Sequence, residues 1–136
     1  MEFKNSEGYP DPTCYFALTK IAREQRIRTF KPIVYICSPY SGDVRKHIAD
    51  ARRYCRFAAE AGYIPFASHL LYPQFLDDSV KEERDLGLFF GTALLSKCYE
   101  LWVFGDVITS GMRAEIIRAR RKGLNIRYFT SDCKEY

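Results

Sequence analysis

The sequence has no C-x-x-C pair, only two histidines and no apolar run long enough to cross a bilayer. Its five cysteines, Cys14, Cys37, Cys55, Cys98 and Cys133, are scattered and odd in number. That excludes a disulfide frame or a zinc site as the organising principle and predicts free thiols in a reducing compartment. No second histidine stands at ligand spacing from His69, so no metal centre is expected. The glycine spacings of the P-loop and of the dinucleotide-binding turn are absent, and no cofactor is expected. The longest apolar stretch, residues 86–95, is interrupted by Gly87, Gly91 and Thr92. The opening Met-Glu-Phe-Lys-Asn-Ser-Glu lacks the apolar segment of a secretory signal. A cytoplasmic protein without a membrane partner is therefore expected.

What is present is core material. At 136 residues, 47% apolar and 15% aromatic, the chain suits a single hydrophobic core and excludes disorder by composition. The net charge of +4 is modest but clustered, with Arg45, Lys46, Arg52, Arg53 and Arg56 in one stretch and Arg113, Arg118, Arg120, Arg121 and Lys122 in another. Such clusters are either solvated helix faces or contacts for a phosphorylated ligand or nucleic acid. The first is the simpler, and a nucleic-acid partner is not expected.

Asp11-Pro12 pairs an N-cap residue with proline at the first helical position, and Tyr15, Leu18, Ile21 and Ala22 follow at helical spacing. Residues 1–31 thus read as a helical extension and linker, with the helix over residues 12–26, and the main domain as residues 32–136. That domain opens with a β-branched run, Ile33-Val34-Tyr35-Ile36-Cys37, followed by a polar loop, Ser38-Pro39-Tyr40-Ser41-Gly42-Asp43. Asp43 caps a helix that stops at Gly62. Residues 63–67 form a second strand, with Pro65 favouring an edge position. A loop through His69 and Pro73 leads to a helix from Asp77 to about Lys97. Residues 100–104 form a third strand, Thr109 or Ser110 caps a helix ending at Gly123, and residues 125–129 form a fourth strand.

Strict alternation of strand and helix implies a parallel sheet covered on both faces. The expected fold is a flavodoxin- or Rossmann-like α/β three-layer sandwich of four or five strands, in the order 2-1-3-4. Ligands in such sheets bind beyond the carboxyl ends of the strands, where the winding direction switches. Here the switch lies between the first and third strands, beside loops 38–43 and 105–111.

Glu115 is the sharpest anomaly near that switch. Met112, Ile116 and Ala119 line the apolar face of the last helix, and Glu115 falls within their arc. It is either a site carboxylate of tuned pKa or the partner of an arginine such as Arg118 or Arg84. Asp85, with Leu88, Phe89 and Thr92 three, four and seven positions on, also borders an apolar face, or is one more charge in the run Lys81-Glu82-Glu83-Arg84-Asp85. Two carboxylates over one pocket would suit nucleophile and acid in glycosidic chemistry. Gly87 and Gly91 suggest close approach of another backbone to their helix. Ser38, Tyr40 and Ser41 in the first loop, and Thr109, Ser110 and Gly111 at the last helix, stand where helix N-termini favour anions. His69, after the second strand, could touch a ligand.

Tyr35-Ile36-Cys37-Ser38-Pro39, Arg84-Asp85-Leu86 and Ser110-Gly111-Met112-Arg113-Ala114-Glu115, in this order, resemble the nucleoside 2-deoxyribosyltransferase superfamily. Within it the chain is most similar to the small phage and bacterial branch of the DUF4406 type, and it also resembles the 2'-deoxynucleoside 5'-phosphate N-hydrolases. The resemblance spans about residues 32–130. It implies N-glycosidic bond cleavage or transfer on a (deoxy)nucleoside or nucleotide, with Glu115 as nucleophile and Asp85 as the acid that helps protonate the leaving base. It further implies that Tyr35 lines the sugar pocket, that His69 contributes after the second strand, and that Thr109 or Ser110 meets a 5'-phosphate. Gly111 and Arg113 belong to the same motif and are expected at the substrate, and the family implies self-association. The hydrolases carry a glycine-rich loop with an arginine after the first strand; Tyr40 and Asp43 stand there instead. A catalytically silent nucleotide-binding or sensing module, and a phage-encoded interaction domain, are the alternatives.

Overall fold

The computed structural model describes residues 31–136, and the expected helix over residues 12–26 lies outside them. Strand β1 (Ile33–Cys37) leads to helix α1 (Val44–Glu60), strand β2 (Ile64–Phe66) and a short helix α2 (Ser68–Leu71) continued by a 3-10 turn at Tyr72–Gln74. Helix α3 (Lys81–Leu95), strand β3 (Glu100–Phe104), helix α4 (Ser110–Arg121) and strand β4 (Asn125–Phe129) follow. The four strands form one sheet in the order β2-β1-β3-β4, and every pairing between them is parallel. The expected order is therefore observed, and Pro65 sits on an edge strand, where its missing N–H leaves no ladder bond unmade.

Local chemistry explains the boundaries. The Asp43 carboxylate accepts the Lys46 N–H at 3.2 Å and starts α1. Thr109 does the same for α4 by accepting the Met112 N–H at 3.2 Å. Gly105 leaves β3 at φ +95°, a left-handed turn that a side chain would strain.

Two expectations change. The loop through His69 and Pro73 is helical, because Leu70 and Leu76 donate back to Ala67 and Tyr72 at 3.1 and 2.8 Å. Helix α3 begins at Lys81, not Asp77, because residues 77–79 close a tight turn in which Ser79 donates through both N–H and Oγ to Asp77 Oδ1 at 2.9 and 2.7 Å.

Strand alternation divides the core into two layers. Val34, Ile36, Trp102, Phe104 and Phe129 pack with Tyr54 and Ala58 of α1. Tyr35, Cys37, Leu101 and Val103 face the other way and pack with Leu95 of α3 and Met112, Ile116 and Ala119 of α4. Among the described residues no helix is long and apolar enough to cross a membrane. Cys37, Cys55, Cys98 and Cys133 are free thiols.

Candidate functional site

On the second of these faces, a cavity of about 480 Å³ opens at the carboxyl ends of β1 and β3. Its wall is assembled from both switch-point loops and the helices beside them. The loop after β1 supplies Tyr40 and Ser41, α2 supplies Ser68 and His69, and α3 supplies Arg84, Gly87, Leu88, Gly91 and Thr92. The start of α4 contributes Thr109, Ser110 and Gly111, and one turn further in come Ala114, Glu115 and Arg118. Residues 111, 114, 115 and 118 share a helix face because they are three, four and seven positions apart.

Glu115 lies in this wall above β1. Tyr35 and Cys37, two residues apart on the strand and so on the same side of the sheet, both offer a proton to its carboxyl. The Tyr35 hydroxyl is 3.0 Å from Ser68 Oγ, so when Tyr35 turns its proton to Glu115 it accepts one from Ser68. The Cys37 sulfur also lies 3.8 Å from the Met112 carbonyl, which competes with Glu115 for its single proton. Burial raises the Glu115 pKa to about 7, against the opposing pull of the Tyr35 and Cys37 donors and the Arg118 charge. Burial and the neighbouring Glu115 charge push the Tyr35 hydroxyl and the Cys37 thiol far up, keeping both protonated as donors.

Neither arginine considered as a partner closes an ion pair with Glu115 among the described residues. Arg118 instead donates to Thr92 Oγ1 at 2.8 Å and acts on Glu115 through its charge. At Gly91 a Cβ would come into ordinary contact with the site, 3.4 Å from the Tyr35 hydroxyl and 3.6 Å from Ser68 Cβ. The close approach to the α3 glycines is therefore by side chains, with Leu76 and Tyr72 against Gly87, and not by a backbone.

At the cavity's other end the Tyr40 and His69 rings stack, with centroids 4.7 Å apart and planes 20° from parallel. His47 Nδ1 donates to the Tyr40 carbonyl at 3.0 Å and ties that loop to α1. Burial lowers the His69 pKa, partly offset by the Asp78 charge.

The structure thus brings together Glu115, Tyr35, Tyr40, Ser41, His69, Thr109, Ser110 and Gly111. It leaves three expected residues out. Asp85 is exposed and does not line the cavity, because the face of α3 turned inward runs through residues 84, 87, 88, 91 and 95, one position off Asp85. Phe89, the apolar neighbour four positions on, is 67% exposed. Ser38 is buried behind the wall, and Arg113 is exposed on the outer side of α4. Asp43, bonded at its own helix N-terminus, is not in the wall either.

Sequence reasoning missed Asp78 and Ser68, which do line the cavity, and the support of Cys37. Ser68 and Cys37 carried a usable signal, lying beside His69 and two residues after Tyr35. Asp78 lies in a loop whose course no periodicity indicates.

A family model described as "Domain of unknown function (DUF7768)" matches residues 32–129. The DUF4406-type branch expected from the sequence is not confirmed. No curated protein matches the sequence. Among solved structures, the 2-deoxyribosyltransferase of the psychrotolerant bacterium Bacillus psychrosaccharolyticus superposes with a TM-score of 0.57 and 17% identity, covering 72% of each chain. That protein is described as a biocatalyst for the synthesis of antiviral and antitumoral nucleosides. The likeness establishes a shared nucleoside deoxyribosyltransferase-type fold.

Proposed function

The chain belongs to the DUF7768 family, and we propose that its cavity cleaves or transfers the N-glycosidic bond of a (deoxy)nucleoside or nucleotide through Glu115. One observation carries this reading: a carboxyl with a pKa of about 7, held by two donors beneath a cavity at the sheet's switch point. The fold shared with a 2-deoxyribosyltransferase supports it.

In the proposed reaction a Glu115 oxygen attacks the anomeric carbon, and the C–N bond electrons leave with the base. The base takes its proton from water at the cavity mouth, since burial keeps the His69 ring neutral. Water, or a second base, then attacks the anomeric carbon of the glycosyl ester and frees the Glu115 carboxylate, giving hydrolysis or transfer with retention. Tyr35 and Cys37 stabilise the carboxylate before attack and after release. Thr109, Ser110 and Gly111, with Arg84 nearby, hold the 5' end of the sugar. The domain is expected to be cytoplasmic and to self-associate, the second of which light scattering measures directly.

Incubation with a panel of deoxynucleosides and their 5'-monophosphates, followed by detection of free base, tests the proposal. Wild type is expected to release base from at least one substrate, and Glu115→Ala to lose at least about a thousandfold in rate. Full activity in Glu115→Ala would falsify the assignment.

The exposure of Asp85 favours a second reading, a pocket that binds nucleotides without turnover. It predicts ligand-dependent thermal stabilisation that survives Glu115→Gln, with no base released.

A further inference from the structure

Only two carboxylates line the cavity among the described residues, Glu115 and Asp78. The tight turn around Asp77 sets the next residue, Asp78, at the cavity end occupied by the Tyr40 and His69 stack. Burial raises the Tyr40 hydroxyl and lowers His69, and the Asp78 charge adds to the first and opposes the second. Tyr72 and Pro73 continue the same wall with apolar surface. A planar heterocycle extends a stacked aromatic pair of this kind at little cost in specificity, because every base has a π-face. Discrimination must then come from a group at the edge of the stack.

We infer that Asp78 is a specificity residue, whose carboxylate reads the edge of a nucleobase stacked against Tyr40 and His69 and selects bases bearing an exocyclic amine. The inference rests on the N-glycosidic reading, since it is an anomeric carbon at Glu115 that directs the base to this end. An ionised carboxylate only accepts hydrogen bonds. The amines of cytosine and adenine donate, whereas the corresponding oxygen of uracil or thymine accepts and would meet Asp78 lone pair to lone pair. Asp78 is exposed, so water softens the penalty, and the preference is expected at about tenfold instead of the far larger factors of sealed sites.

The test compares kcat/KM for base release from deoxycytidine against deoxyuridine and from deoxyadenosine against deoxyinosine, each with and without a 5'-phosphate. The full chain is used as wild type, Asp78→Asn and, as a charge control outside the cavity, Glu82→Gln. Wild type is expected to favour the amine-bearing member of each pair by about tenfold. Asparagine offers both a donor and an acceptor, so Asp78→Asn should bring each ratio within about threefold of unity, while Glu82→Gln keeps the wild-type ratios. The inference is overturned by a wild-type ratio near one or favouring the oxo base, by Asp78→Asn keeping the preference, or by Glu82→Gln abolishing it. Release of no base from any substrate overturns the N-glycosidic reading and this inference with it, and is distinguishable from release without selection.

Discussion

On one face of the sheet Trp102, Phe104 and Phe129 close up beneath α1; on the other Tyr35, Cys37, Leu101 and Val103 lie beneath α3 and α4 beside a cavity of about 480 Å³. The same strands build both, since successive residues point to opposite faces. The first face is filled with aromatic rings: Phe104 stacks on Tyr54 at 4.2 Å and on Phe129 at 5.0 Å, and Arg127 lies over Trp102 at 4.8 Å while pairing with Glu135 at 2.8 Å. The second holds smaller side chains and a buried hydroxyl and thiol aimed at a carboxyl. Apolar burial stabilises the domain from both sides, while the polar groups on the second lower its stability and prepare a reactive group. Separating the two tasks by strand parity lets each be altered alone.

The largest expected effect on the packed face follows Trp102→Ala. Removing a fully buried indole from this cluster should cost about 3–5 kcal/mol in urea unfolding, with no specific change in substrate preference in whatever fraction stays folded. A loss under about 1 kcal/mol would mean that the aromatic layer is not the main source of stability.

On the cavity face the effect depends on pH. Glu115 titrates near 7 when folded and near its ordinary 4.5 when unfolded, so the folded state binds more protons between those values. Stability should therefore be highest below pH 4.5 as far as this group is concerned, and fall by about 3 kcal/mol as pH rises to 7. Glu115→Gln should remove that slope, and Tyr35→Phe, which deletes a donor to the carboxylate, should move the window upward. Chemical denaturation from pH 4 to 8 measures both; parallel slopes in wild type and Glu115→Gln would contradict the assigned environment.

The smallest expected effect is at Asp85. Exposed and outside the cavity, Asp85→Asn should change activity by less than about threefold. A large loss would show that the α3 surface joins the site in the active assembly and would blur the contrast between the faces.

The architecture was largely legible in the sequence, for identifiable reasons. Ile33–Cys37 and Glu100–Phe104 are short β-branched or aromatic runs ending in turn residues, and Asp43 and Thr109 are caps that act where they stand. Glu115 stood out because a charge inside an apolar helical arc breaks the period. Asp85 was misplaced because a helix turns by 100° per residue, and apolar neighbours at three and four positions do not decide which of Arg84 and Asp85 faces inward. The neighbouring Leu88 and Phe89 are themselves 58% and 67% exposed, so α3 lacks the one-sided pattern that would have resolved it. Asp78 was illegible because its position depends on a turn set by side-chain hydrogen bonds.

The central claim is that Glu115 forms a bond to the sugar. Brief incubation of the protein with the deoxynucleoside panel, an acid quench and peptide mass spectrometry tests it most directly. The account predicts a deoxyribosyl adduct on the peptide carrying Glu115, absent from Glu115→Gln. Base release with no adduct on that peptide, or an equal adduct in Glu115→Gln, would contradict it.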